Sequence, residues 1–329
     1  MAQVFFSNHG AMGDSTTHPE QETRLVNLGG WVSKLAYSPD GSILVAASWG
    51  GTLKVFGTSC WTERHAVELK NERVLALDIS EDGAMVVCGT SAGKIRLFGG
   101  VAFEPVATAE PHAGWVHCVQ FLGADVVLSG GEDKCCRLTS AQGESLGQLD
   151  HHTDWVCAAA IDQQGEWVAT ASADTKVVLL SRAKLEVERE WTHHSASVLA
   201  VCFSPDGSIL ASGGEDKRVF VCGTRTDVVT VVHEFQARVH GIAFAPDGFV
   251  MAACAWCEDP MVKVWGTQDW LPKTTVECHR DGVLCVAFSP DGHLLASGSA
   301  DKTVVVWRTP ESWRQRGTAP APSSMTMNS

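Results

Sequence analysis

CVAFSPDGHLLASGSADKTVVVW, residues Cys285–Trp307, holds three short apolar runs separated by two turn signals. In Ser289-Pro290-Asp291-Gly292, proline presets φ at the second turn position and glycine tolerates the last. Asp301-Lys302 marks the second turn. Short β-branched runs that alternate with such signals read as antiparallel strands.

The pattern recurs along the chain. AVCFSPDGSILASGGEDKRVFVC (Ala200–Cys222) and KLAYSPDGSILVAASWGGTLKVF (Lys34–Phe56) are close copies. Weaker copies are ALDISEDGAMVVCGTSAGKIRLF (Ala76–Phe98), CVQFLGADVVLSGGEDKCCRLT (Cys118–Thr139), AAAIDQQGEWVATASADTKVVLL (Ala158–Leu180) and GIAFAPDGFVMAACAWCEDPMVKVW (Gly241–Trp265). A valine opens each of the seven: Val32, Val74, Val116, Val156, Val198, Val239 and Val283, with gaps of 42, 42, 40, 42, 41 and 44 residues. Between copies lie further apolar runs such as ERHAVEL, EPVATAE and LEVEREW, which supply a fourth strand per unit.

A period of about 42 residues with four strands resembles the WD-repeat family of β-propellers, over roughly Thr23–Trp307. The resemblance implies an all-β fold, a seven-bladed β-propeller with four antiparallel strands per blade. The last copy lacks a fourth strand, and TRLVNL (Thr23–Leu28) is a strand without a blade. The N-terminal strand is therefore expected to close the last blade and cover its open edge. The propeller then spans 23–311, with residues 1–22 and the Pro/Ser/Ala-rich 312–329 expected as flexible tails.

Polar residues recur inside the apolar strands at fixed offsets: His112, Ser129 and Asp133; His152, Thr170 and Asp174; His194, Ser212 and Asp216; His279, Ser297 and Asp301, the last set with Trp307. A His-Ser-Asp set invites a catalytic reading. Repetition argues against it, since a reactive site is needed once and a fastener in every blade. Buried polar groups satisfy one another. The family resemblance implies the same, a structural Trp–Ser/Thr–His–Asp network. Other copies depart from it: Leu28, Lys70 and Phe235 stand where a histidine would, and Phe56, Phe98, Thr139, Leu180 and Cys222 where a tryptophan would.

In a propeller, the loop entering each blade and the turn between its second and third strands share one face, the top. The residues preceding the marker valines are Trp31, Arg73, Trp115, Trp155, Ser197, Arg238 and Gly282, and the neighbouring turns add Trp49, Glu132, Glu215, Trp256 and Glu258. Tryptophan and arginine dominate interface hot spots. The WD-repeat resemblance implies a non-enzymatic scaffold or adaptor, a monomeric propeller within a multiprotein complex, and the composition of the ring suits a protein or peptide segment as its partner. The acidic neighbours favour basic residues in such a segment. The competing reading packs the indoles onto the adjacent blade. Trp61, Trp270 and Trp313 follow third strands and are expected at the bottom face or outer edge, as a second anchor or as cover for the outer strands. A rival function, a small ligand or metal at the channel mouth, would draw on Asp154, Glu132, Glu215 and His117. No phosphate loop, dinucleotide fingerprint or H-E-x-x-H is present, and no cofactor or resident metal is expected.

Cys254-Ala-Trp-Cys257 has the spacing of half a zinc site or a redox dithiol. No second Cys-x-x-C completes a zinc site, and a strand end offers no helix N-terminus to acidify a thiol. Aligned on the Pro-Asp-Gly turn, Cys254 takes the place of Gly298 and Ala253 that of Ser297, in a turn two residues longer. Trp256 and Glu258 are then its partner-facing residues.

Net charge is −13, with 25 Lys+Arg against 38 Asp+Glu, which disfavours nucleic acid as a partner. No apolar run approaches the ~18–20 residues that span a bilayer. The N-terminus has no basic, apolar secretory pattern. The 12 cysteines lie mostly in apolar strand-like runs, as reduced thiols do. The expected location is the cytoplasm, with the nucleus or cytoskeletal structures as further possibilities.

Overall fold

The computed structural model describes residues 18–99, 103–226, 228–256 and 261–314. Seven four-stranded antiparallel sheets form blades around a central axis. Blade 1 is Val32–Tyr37, Ile43–Ser48, Thr52–Gly57 and Glu63–Glu68. Blades 2 to 6 repeat this order from inner strands Val74–Ile79, Val116–Phe121, Val156–Ile161, Val198–Phe203 and Arg238–Phe244. Blade 7 is Val283–Phe288, Leu294–Ser299 and Val304–Arg308, completed by the N-terminal strand Glu20–Leu25. Each inner strand touches those of both neighbours, and blade 7 meets blade 1, so the ring is closed. Among the described residues the one helical segment is the 3-10 turn Glu311–Trp313.

The marker valines show why the period is what it is. All seven are fully buried, and each is followed by an irregularity in the pairing of its strand. Four of them press on a glycine in the second strand of the preceding blade. A Cβ at Gly298 would stand 2.5 Å from Val32, at Gly89 2.6 Å from Val116, and at Gly130 and Gly213 2.5 Å from Val156 and Val239. The small-residue strands LSGG and ASGS are therefore sockets for the next blade. Blade 6 inverts the sizes. Cys254 occupies the socket position, and its register partner is Gly241, where a Cβ would lie 2.9 Å from the thiol. Cys254 is fully buried, and burial pushes its thiol pKa well above the ordinary value. Its role in the structure is packing.

The closing strand begins at Glu20, three residues before the expected start, and ends at Leu25. Gln21 pairs with Trp307 and Leu25 with Val304. Leu28, beyond the strand, is buried beside Val32 in the same cluster. Glu22 forms an ion pair with Arg308, and His18 Nδ1 lies 2.9 Å from Thr274 Oγ1 of blade 6. The ordered chain thus reaches into the expected tail 1–22, because the edge of blade 7 offers unpaired backbone groups along its length. At the other end Trp313 is 2 % exposed in the core shared by blades 6 and 7, so residues 312–314 belong to the packed unit. Residues 1–17 and 315–329 lie outside the described residues.

Candidate functional site

One backbone hydrogen bond, repeated around the ring, places the rim. The N–H at the turn after the second strand donates to the carbonyl of the residue before the marker valine. The pairs are Trp49 to Trp31 (2.9 Å), Ser91 to Arg73 (3.0 Å), Glu132 to Trp115 (3.0 Å), Ala173 to Trp155 (2.9 Å), Glu215 to Ser197 (2.8 Å) and Ala300 to Gly282 (2.9 Å). In blade 6 the first two strands are seven residues long, and Arg238 pairs directly with Trp256 in the ladder. The extra length carries Trp256 to the mouth as the last strand residue. Cys257 and Glu258 lie outside the described residues.

The aromatic side chains make an arc across blade boundaries. Trp256 meets Trp31 edge-on with centroids 5.0 Å apart, and Trp31 meets Trp49 at 4.8 Å. Trp49 stands at 85° to Trp115 with centroids 6.0 Å apart. His117 lies 6.1 Å from Trp115 and stacks on Trp155 at 5.9 Å. His240 continues the arc behind Trp256 at 5.6 Å. Arg73 Cζ sits over both Trp49 (5.1 Å) and Trp115 (5.3 Å), in the corner of the two indoles. Blade 7 has glycine at its rim position, and the Trp256 ring fills that space. The indoles are therefore packed in part and open in part. They pack on one another, yet Trp31, Trp49, Trp115 and Trp256 are only half-buried and Trp155 is 46 % exposed.

The remaining rim is polar. Glu215 accepts hydrogen bonds from Ser197 Oγ and Arg238 Nη1, both at 2.9 Å. Glu132 accepts the Trp115 N–H at 3.2 Å and lies 3.6 Å from His117 Nε2. Glu132 and Glu215 are thus engaged within the rim. Asp154 caps the Trp155 N–H at 2.9 Å, with Lys134 at 3.9 Å. Burial depresses the pKa of His117 despite the facing Glu132. Asp154, Glu132, Glu215 and His117 do not converge: only Glu132 and His117 meet. Among the described residues no three His, Cys, Asp or Glu side chains are grouped to hold a metal.

The four His sets have one geometry. Nδ1 faces the aspartate at 2.7 Å (His112–Asp133), 3.0 Å (His152–Asp174), 2.9 Å (His194–Asp216) and 3.0 Å (His279–Asp301). A carboxylate only accepts, so Nδ1 carries the proton and Nε2 accepts from the strand hydroxyl. Those bonds, from Ser129, Thr170, Ser212 and Ser297, are 2.8, 2.9, 2.9 and 2.8 Å. The four histidines are buried. Trp307 does not join: its indole N–H is buried without a hydrogen-bond partner among the described residues. Its contribution is packing beside Trp313 and Val305. In blade 4 the fourth member is instead His151, whose Nε2 lies 2.9 Å from Thr170 Oγ1.

On the opposite face, Trp61 and Trp270 sit in left-handed turns (φ 55° and 54°), partly buried against the cores of their blades. Trp313 is buried, so of the three bottom tryptophans it offers no surface. No helix among the described residues is long and apolar enough to cross a membrane.

A closed ring of four-stranded blades with buried His–Asp fasteners and an aromatic rim defines a seven-bladed β-propeller. The WD domain, G-beta repeat, matches residues 23–57, 103–140, 143–180, 185–222, 228–266 and 270–308, and the chain belongs to the WD-repeat family. The matched units run from an outer strand into the next blade, the offset that lets the N-terminal strand finish the ring. The stretch 58–102, which holds most of blade 2, has no match. It has Lys70 where the fastener histidine would stand and Glu81 in place of the turn proline. The chain is similar to the guanine nucleotide-binding protein subunit beta of Arabidopsis thaliana, 25 % identical over 84 % of this chain and 80 % of that protein. It is similar to protein FIZZY-RELATED 2 of the same plant, 24 % identical over 68 % of this chain and 47 % of that protein. Similarity to WD repeat-containing protein VIP3, also of that plant, is 33 % over 47 % of this chain and 54 % of that protein.

Proposed function

We propose that the chain is a non-enzymatic scaffold or adaptor that holds a protein segment on its top face, as a monomeric propeller within a larger complex. The observation that carries this reading is the arc from Trp256 through Trp31, Trp49 and Trp115 to Trp155, half-open aromatic surface on a rigid frame. Large aromatics held on a rigid rim supply contact area at little entropic cost. One relative is a subunit by name, the guanine nucleotide-binding protein subunit beta, which supports a place in a complex. A basic flank on the bound segment would meet Asp154, with its side chain 48 % exposed, and the exposed Asp281. The 11 cysteines among the described residues are free thiols, which supports a reducing compartment such as the cytoplasm or nucleus. The test is alanine at Trp31, Trp115 and Trp155 together. Capture of the native partner is expected to vanish while the ring still unfolds cooperatively; unchanged capture sinks the reading.

A further inference from the structure

Arg73 stands out among the rim charges. Its guanidinium lies against two indoles, yet among the described residues it has no ion pair and no hydrogen bond from its side chain. The adjacent Glu72 does not serve it. Arg96 holds both oxygens of Glu72, Nε at 2.9 Å and Nη2 at 2.5 Å, with Lys94 at 4.0 Å. Every other arginine or lysine named at the mouth has a carboxylate: Arg238 has Glu215, and Lys134 has Asp154. Trp49 and Trp115, at 85° to each other, wall two sides of Arg73 and leave the rest exposed. A guanidinium carries five N–H donors in a planar fork matched to a carboxylate. Packing against indoles restricts the side chain in advance, so less freedom is lost when that fork is filled.

We infer that Arg73 is the receptor for one carboxylate, an Asp or Glu side chain of the bound segment, whose neighbouring apolar residue rests on Trp49 and Trp31. This rests on the top face being the partner surface. The net charge of −13 is a weak obstacle to such an acid, since charges more than about 8 Å from the bound carboxylate are largely screened at physiological salt. One free guanidinium neutralises a single carboxylate, whereas a phosphate dianion would bring a second charge to a mouth whose other named cations, Arg238 and Lys134, are already paired.

The test uses the full chain. Short random peptides are selected by display on immobilised protein, and the best binder is titrated beside its Asp/Glu→Asn/Gln and phosphoserine forms. Selection is expected to enrich an acidic residue next to an aromatic or leucine. Neutralising that acid should weaken binding roughly ten- to a hundredfold, the range of a charge-assisted hydrogen bond. The same change should have little effect on the Arg73→Gln protein, and Arg73→Lys, which keeps charge without the fork, should recover only part of the affinity. Selection of basic or neutral peptides only, failure to select any, or acid dependence that survives Arg73→Gln overturns the inference. Tighter binding of the phosphoserine form overturns the choice of carboxylate. Partner capture lost with the triple tryptophan variant but untouched by Arg73→Gln would leave the top-face reading standing and remove this one.

Discussion

Trp256 lies against Gly282: a Cβ at residue 282 would stand 3.1 Å from the indole Cγ and Cδ2. Gly282 holds the rim position at which three other blades carry tryptophan and two carry arginine. The missing side chain lets the Trp256 ring cross blade 7 and reach Trp31 at 5.0 Å. Gly282→Ala should displace that ring and break the arc at one joint. Overpacking typically costs about 1–3 kcal/mol, and the low end is expected at a rim that can yield. Near-ultraviolet circular dichroism should change and partner capture should fall, with cooperative unfolding retained. An alanine variant with unaltered dichroism and capture would show that the joint is unimportant.

The His–Asp fasteners predict a graded series. His194→Ala leaves Ser212 without its partner and Asp216 with only the Ser195 and Arg218 backbone N–H groups, and should cost about 1–3 kcal/mol by denaturant unfolding. Thr170 serves two imidazoles, His152 and His151, whereas Ser212 serves one. Because its hydroxyl proton goes to His152, Thr170 accepts from His151. Thr170→Ala should therefore be more damaging than Ser212→Ala, by about 1 kcal/mol for the extra unsatisfied donor. Equal losses would mean that the His151 bond contributes nothing.

Acid should weaken the ring before the carboxylates titrate. Burial depresses His112, His152 and His194 even though each faces an aspartate that pulls the other way. His151 and His240 are pushed down to about 4, again mainly by burial. A histidine whose folded pKa lies below its unfolded value binds protons more readily when unfolded. Its stabilisation is complete above about pH 6.5 and is lost as pH falls toward the folded value. Burial would raise Asp133 and Asp174, but hydrogen bonds hold both low, Asp133 from His112 and Arg137, Asp174 from backbone N–H groups and His152. They add a further loss below about pH 4. The unfolding midpoint should thus decline from about pH 6.5 downward; a flat profile to pH 4 would contradict the buried neutral histidines.

The blades were legible because their signals are local. Pro-Asp-Gly turns, marker valines and His–Asp offsets lie within one copy and repeat, so each copy checks the others. What crosses blades was not legible. The contact of Trp256 with Gly282 joins blades 6 and 7, and Arg73 in the corner of Trp49 and Trp115 joins three, with no fixed spacing to betray either. Trp307 fitted the family pattern in sequence, yet its indole N–H has no partner, while His151, outside that pattern, makes the bond in blade 4. One signal could have been used: His117 and His240 each follow a marker valine, and both lie in the arc.

Ring closure depends on a strand that is distant in sequence. Arg24 of that strand donates to the Cys278 carbonyl and, at 3.3 Å, to Thr303 Oγ1, and it lies 3.9 Å from Asp301. It thereby fastens the closing strand to the His279–Asp301 set of blade 7. Arg24 is one-third exposed, so Arg24→Ala should cost only about 1 kcal/mol. Removing residues 1–25 is a different matter. It strips the backbone partner from Val304–Arg308 and removes Leu25 from the shared core. An unpaired strand edge invites association with other chains. The truncated chain should aggregate or unfold at a markedly lower midpoint, and a peptide spanning Glu20–Leu25 with short flanks should restore part of the loss in trans. A truncated chain that stays monomeric with the full-length midpoint would mean that six blades and a three-stranded seventh suffice.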